Sequence, residues 1–228
     1  MSEISKNVRE IREKIREAAL GAGRDPDSVR LLAVTKTVSP ETIKEAFEAG
    51  QTLFGENYVQ EALPKIDAIP RAEWHMIGHL QSNKAKYVVG TFSMVHTVDR
   101  PSLAAELSRL CIARGIKLPV LLQANLSGEA SKGGADAEGI IAIAKRALEW
   151  PGIEIQGLMA IPPYEEDPEM SRPHFRALRL LANRIDSVGF SGVKMYHLSM
   201  GMSHDFKAAI EEGATIVRVG SALFGQRL

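Results

Sequence analysis

The chain has 228 residues, 45% of them hydrophobic and 25% charged, with 28 lysines and arginines balancing 28 aspartates and glutamates for a formal net charge of zero. That is enough apolar material for one large core, read as a single domain over 1–228, and the lack of a basic excess or a long like-charge run argues against a nucleic-acid or acidic-membrane partner. One cysteine, Cys111, excludes a disulfide within the chain; it shares a helical stripe with Leu103 and Leu107, which reads as core packing. The opening MSEISKNVREIREKIREAAL is charged throughout and has no stretch of signal-peptide or membrane-spanning length, so the expected location is the cytoplasm.

Ile4, Val8, Ile11 and Ile15 repeat at helical spacing, and Gly21 and Gly23 stop this extra opening helix. The apolar run 31–35 predicts a first strand. Ser39-Pro40-Glu41 then supplies an N-cap, a proline at the first helical position and an early acid for a helix ending at Gly50. A short strand follows at 52–54, a helix near 57–66, a strand at 73–77, a short helix near 82–88 and a strand at 94–98. The second half continues with a helix near 101–114, a strand at 119–125, a helix near 136–149 and a strand at 153–159. After the loop Pro162-Pro163-Tyr164 come a helix near 168–188, a strand at 193–198, a helix near 204–212 and a strand at 215–219.

Eight strands alternating with helices predict a closed (β/α)8 barrel, because repeated right-handed crossovers bury both faces of a parallel sheet. An open doubly wound sheet is the alternative. In a barrel the carboxyl ends of all strands converge on one face, and the unusual polar residues fall there. They are Lys36 after strand one, Gly55-Glu56-Asn57 after strand two, Gly78-His79 after strand three and Asn125 after strand five. Met159-Ala160-Ile161-Pro162 follows strand six, Ser199 to Ser203 strand seven, and Arg218-Val219-Gly220-Ser221 strand eight.

Lys36 ends an apolar run, where an unpaired ammonium is costly. It reads either as a side chain escaping to solvent or as an amine available to a carbonyl. The glycine- and serine-containing loops after strands seven and eight lie where barrels commonly hold a phosphate; Gly201, Gly220 and Ser221 offer backbone N–H groups, and Ser199 and Ser221 offer hydroxyls. A lysine opposite a phosphate pocket fits two ligand classes, sugar phosphates and pyridoxal 5′-phosphate. Arg218, inside the apolar pattern Ile216-Val217-Arg218-Val219, reads either as an ordinary ion-pair partner of a neighbouring element or as an inward donor to a pyridine nitrogen. A guanidinium in that place keeps its own proton and leaves the ring a weak electron sink.

The segments LLAVTKTVSPETIKEAFEAG, FGENYVQEALPKI, WHMIGHLQSNKAKYV, GLMAIPP and LSMGMSHDFKAAIEEGATIVRVGSALFG, with NLSGEASKGG between them, resemble those of the pyridoxal phosphate homeostasis proteins, themselves similar to the barrel domain of alanine racemase. The resemblance runs from Leu31 to Gly225. It implies a fold-type III barrel that holds pyridoxal 5′-phosphate as a Schiff base on Lys36, with Asn57 lining the pocket, Ser199, Gly220 and Ser221 on the phosphate, and Arg218 facing the pyridine nitrogen. His79 and Met159 are implied near the ring. Thr35, Val38 and Ser221 depart from frequent choices in relatives, and position 38 leaves a secondary cofactor site open.

The implied role is to sequester pyridoxal phosphate and supply it to apo-enzymes that use it, as a monomer or weak dimer with little or no catalysis. The chain ends at Leu228, just after the eighth strand, without the further domain that completes a racemase site, so a weak amino-acid racemase is the alternative. A lysine-dependent sugar-phosphate aldolase is a third reading. Other motifs are better read structurally: Ser203 of Ser203-His204-Asp205 as a helix N-cap, and the HxxxH of His75 and His79 as lacking the helical context of a zinc site.

Overall fold

A computed structural model of the chain describes residues 2–128 and 133–225. Positions 129–132, within the NLSGEASKGG segment, lie outside the described residues. Parallel strands run in chain order around a closed barrel, β1 (Arg30–Val34), β2 (Leu53–Glu56), β3 (Glu73–Met76), β4 (Met94–Val98), β5 (Leu118–Ala124), β6 (Ile153–Ala160), β7 (Val193–Met202) and β8 (Ile216–Val219). β1 closes on β8 with Leu32 opposite Arg218. The predicted alternation is therefore a closed barrel, and the doubly wound alternative is excluded.

The helices are α1 (Glu3–Gly21), α2 (Pro40–Glu48), α3 (Val59–Ala68), α4 (Ala85–Val88), α5 (Pro101–Ala113), α6 (Ala137–Lys145), α7 (Arg172–Val188), α8 (Phe206–Glu211) and α9 (Ser221–Phe224). α7 shows why such segments become helices: Phe175, Leu178, Leu181, Ala182 and Ile185 form one buried stripe, and Gly189 ends it at φ 69°. Each large apolar side chain buried this way contributes about 1.5–3 kcal/mol. α1 buries Val8, Ile11, Ile15 and Ala19 and packs against α8, α9 and α2. Asn7 Nδ2 donates to Leu223 O at 3.0 Å, tying it to α9. Cys111 is buried on α5 with Leu103 and Leu107.

Two layers of core result. The larger lies between barrel and helices; the smaller fills the barrel with Leu32, Leu53, Ile77, Met94, Leu121, Met159 and Ile216, with Val34 packed against it. The close interior explains Gly55, because a Cβ there would sit 2.3 Å from Leu32 Cδ2.

The structure departs from the sequence expectations at several ends. β7 does not stop at Leu198 but continues through Met202, with an irregular register against β8 between Ser199 and Met202 and a positive φ of 87° at Gly201. That irregularity carries the strand on through what reads as a loop. The helix expected near 136–149 divides into α6 and a 3₁₀ turn at Ala147–Glu149, and that near 168–188 begins with a 3₁₀ turn at Pro168–Ser171.

Candidate functional site

β1 ends at Val34, and the chain turns through Thr35-Lys36-Thr37-Val38, closed by Val38 N donating to Thr35 O at 2.9 Å. Lys36 thus occupies the second position of a turn rather than the strand. Thr37 has φ 61°, the one positive-φ residue other than glycine among the described residues, and a β-branched side chain makes that conformation costly.

Both peptides flanking Lys36 are held by charged side chains. Lys65, on α3, reaches inward: its Nζ donates to Thr35 O at 2.8 Å and to Glu56 Oε1 at 2.5 Å, with Glu61 Oε2 3.6 Å away. Glu56, fully buried at the end of β2, also accepts from Thr35 Oγ1 at 2.8 Å and from Asn57 N at 3.0 Å. On the other side, Thr37 N donates to Glu61 Oε2 at 3.1 Å. A buried ion pair with its remaining hydrogen-bonding capacity filled is the form in which such a pair survives burial. The Lys36 ammonium itself forms no ion pair among the described residues and lies 5.7 Å from the centre of the Tyr58 ring.

Beside this turn the carboxyl ends of the strands surround a cavity of about 490 Å³, lined by Val34, Asn57 and Ile77 on one side and by Met202, Ser203, Arg218, Gly220 and Ser221 on the other. Tyr164 and His204, 5.5 Å apart at their ring centres, also line it. Asn57, which lines it, has a buried Oδ1 with no hydrogen-bond partner among the described residues, an unmet acceptor at the edge of the cavity. Asn57 is fixed from behind, since a Cβ on Gly78 would fall 2.1 Å from Asn57 O.

Arg218 points into the barrel. Its Nη1 donates to Ser199 Oγ at 2.7 Å and its Nη2 to Ala160 O at 2.9 Å. It forms no ion pair among the described residues, so the ordinary ion-pair reading does not hold. Burial pushes its pKa down to about 10, Asp205 opposing, which leaves it charged at neutral pH.

Not every residue singled out in the sequence reaches this cavity. Asn57, Arg218, Gly220 and Ser221 line it; Lys36 does not, its turn meeting the cavity through Val34, and His79 is exposed and lines a neighbouring depression with Tyr58 and Gly78. Met159 is fully buried in the barrel's inner cluster. Ser199 is likewise buried, its hydroxyl shared between Arg218 and His96 Nδ1, 3.0 Å away. The hydroxyl at the loops after β7 and β8 is instead that of Ser203, which accepts from Gly220 N at 3.3 Å and Ala222 N at 3.5 Å. Ser203 is therefore no cap of α8, whose N-cap position is Asp205. The sequence reading missed Ser203 and Lys65; the i, i+4 spacing of Glu61 and Lys65 was the available signal for the latter.

A closed (β/α)8 barrel with a lysine turn after its first strand and an amide-lined pocket after its last two belongs to a defined class: the family model described as "Alanine racemase, N-terminal domain" matches residues 1–228. Within that class the chain belongs to the pyridoxal phosphate homeostasis protein family. It is 46% identical over 217 residues to the protein of that name from Aquifex aeolicus, covering 94% of each chain, and 41% identical to that from Escherichia coli, covering 100% of this chain and 98% of the other. PipY of Synechococcus elongatus, solved with PLP bound, superimposes with a TM-score of 0.85 at 34% identity, covering 98% of this chain and 100% of PipY. Alanine racemase from Corynebacterium glutamicum, at 16% identity and a TM-score of 0.73, shares the fold over 62% of its own length.

Proposed function

We propose that this protein binds pyridoxal 5′-phosphate in the cavity at the carboxyl mouth of the barrel, tethers it reversibly through Lys36 and thereby holds it in store for apo-enzymes that require it. When bound, the cofactor supplies an aldehyde that condenses with a primary amine, releasing water, and a pyridine ring that draws electrons. The observation that carries the reading is an amine without a counter-ion among the described residues, on a turn held at both of its flanking peptides, beside a cavity lined by Asn57 and the buried Arg218. The donor set fits the cofactor: Ser203 and Ser221, on the two loops that Gly220 N and Ala222 N tie together through Ser203 Oγ, would hold the phosphate with the loop backbone, Arg218 would donate to the ring nitrogen, and Asn57 would accept from the ligand's edge.

Arg218 decides the kind of chemistry. It stays protonated at neutral pH and has no proton to give the ring, so the site favours holding over carbanion chemistry. The curated relatives carry the name of homeostasis proteins, which supports the same reading. Among the described residues no helix is long and apolar enough to cross a membrane. Protein loaded with pyridoxal phosphate and passed through gel filtration should retain visible absorbance, and Lys36→Ala should lose it. Equal retention by the variant would refute the tether.

A further inference from the structure

A second feature runs through the barrel from this face to the other. Below Arg218, Ser199 Oγ lies 3.0 Å from His96 Nδ1; His96 Nε2 lies 2.9 Å from His75 Nδ1; and His75 Nε2 lies 2.8 Å from Glu73 Oε1. Glu73 opens β3 and pairs through Oε2 with Arg30 Nη2 at 2.5 Å, at the start of β1. Ser199, His96 and His75 are each fully buried, and the chain of contacts has no gap. We propose that Glu73, at the amino end of the barrel, is a second, distant counter-charge of Arg218 at the carboxyl end, beside that of Asp205, acting through a chain of His75, His96 and Ser199 whose protons all point the same way.

The order is forced from the two ends. An ionised Glu73 can only accept, so His75 carries its hydrogen on Nε2 and presents a bare Nδ1. His96 must then donate from Nε2 and accept at Nδ1, which leaves the Ser199 hydroxyl to donate to it and to turn its lone pairs toward Arg218. Arg218 can only donate, which closes the series. Each link presents its negative end to the guanidinium. The environment keeps the members in these states: burial holds both imidazoles below their usual range, and His75, helped by Arg30, draws the Glu73 carboxyl down to about 2. The other charged or titratable groups that face the chain are Arg30 from β1, His197 from β7, and Asp205 beside Arg218.

This arrangement resolves an awkward fact about Arg218. A buried guanidinium without a carboxylate in contact is costly, and ordered dipoles in a low-dielectric interior carry a distant charge to it. Glu73, His75 and His96 are on this account positioning residues that set how strongly Arg218 can donate to a ligand in the cavity. That consequence rests on the pyridoxal phosphate reading of the site; the proton order does not.

Long-range ¹H–¹⁵N NMR of the ligand-free protein at neutral pH reads the tautomers directly. Both His75 and His96 should be neutral and protonated on Nε2. Glu73→Gln keeps the shape but can donate as well as accept, so both imidazoles should acquire an Nδ1-protonated population. Arg30→Met removes the ion pair while leaving the carboxylate, and should leave the tautomers as they are, which separates charge relay from simple destabilisation. By equilibrium dialysis, Glu73→Gln should weaken pyridoxal phosphate binding by about fivefold, the low end of coupling between distant sites. An Nδ1-protonated or doubly protonated His96 in the unaltered protein would overturn the proposal, as would a Glu73→Gln protein with shifted tautomers and unchanged affinity. Failure of the unaltered protein to take up pyridoxal phosphate would instead refute the reading of the cavity, with the proton order judged on the NMR alone.

Discussion

Lys65→Met tests how the turn bearing Lys36 is held. The methionine keeps the stem on α3 and removes the ammonium, so Thr35 O loses one of its two donors, keeping Val38 N, and Glu56 loses its counter-ion. Glu56 is fully buried and, among the described residues, its carboxylate keeps Thr35 Oγ1 and Asn57 N as partners. Breaking one side of a buried pair costs about 3–5 kcal/mol. Set against a typical folding free energy of about 5–15 kcal/mol, that is a large loss, readable as a lower midpoint in urea denaturation at neutral pH. The double variant Glu56→Gln, Lys65→Met no longer strands a charge and should recover about 1–3 kcal/mol relative to Lys65→Met. Its yield of cofactor tethered to Lys36 should nevertheless stay low, because the turn has lost its brace on the Thr35 side and keeps only Glu61 on the other. A single-variant cost under about 1 kcal/mol, the range of a solvent-exposed pair, would refute this reasoning. So would a double variant whose cost equals the sum of the two single ones.

Gly78→Ala places a Cβ 2.1 Å from Asn57 O, a backbone atom that cannot step aside cheaply, so thermal melts should show a loss of about 1–3 kcal/mol and dialysis a weaker affinity for pyridoxal phosphate. Thr37→Asn relieves a β-branched residue at φ 61° while keeping the backbone donor to Glu61, and should add about 1 kcal/mol to the unfolding free energy, read as a higher urea midpoint; an unchanged or lower midpoint contradicts the assignment of strain. Burial holds the folded pKa values of His75, His96 and His197 below the ordinary imidazole value of 6.5, so the unfolded chain takes up protons first as pH falls. Their contribution is intact well above pH 6.5 and is lost progressively as pH falls through and below it, whereas that of Glu73, lowered to about 2 from 4.5, is lost only below 4.5. Urea midpoints at pH 7.5, 6.5 and 5.5 should fall a little over the first interval and several times more steeply over the last, and a flat series would contradict the buried neutral imidazoles.

The barrel was legible because its signals are local: alternating apolar runs, a proline and capping serine at the start of α2, and glycines at helix ends. Lys36 stood out too, as a charge at the end of an apolar run, and the structure places it in the turn just beyond β1. What escaped the sequence depends on contacts between distant segments. Ser199 and Ser203 are both plausible phosphate ligands in one dimension; the course of β7 past Gly201 decides that Ser199 turns inward to Arg218 while Ser203 meets the loop after β8. Lys65 reads as a surface helical lysine until α3 is folded against the end of β2. The series from Glu73 to Arg218 joins strands 3, 4, 7 and 8, and no sequence spacing relates them. His75 and His79 look paired in sequence, yet the one is fully buried in the barrel and the other is exposed.

The central claim is that one amine, that of Lys36, tethers pyridoxal phosphate. Borohydride reduction of the loaded protein followed by peptide mass analysis tests it most directly, because reduction fixes the ligand where it is bound. The account predicts a phosphopyridoxyl mass on the peptide containing Lys36, in stoichiometric yield; a principal adduct on any other lysine, Lys65 included, would contradict it.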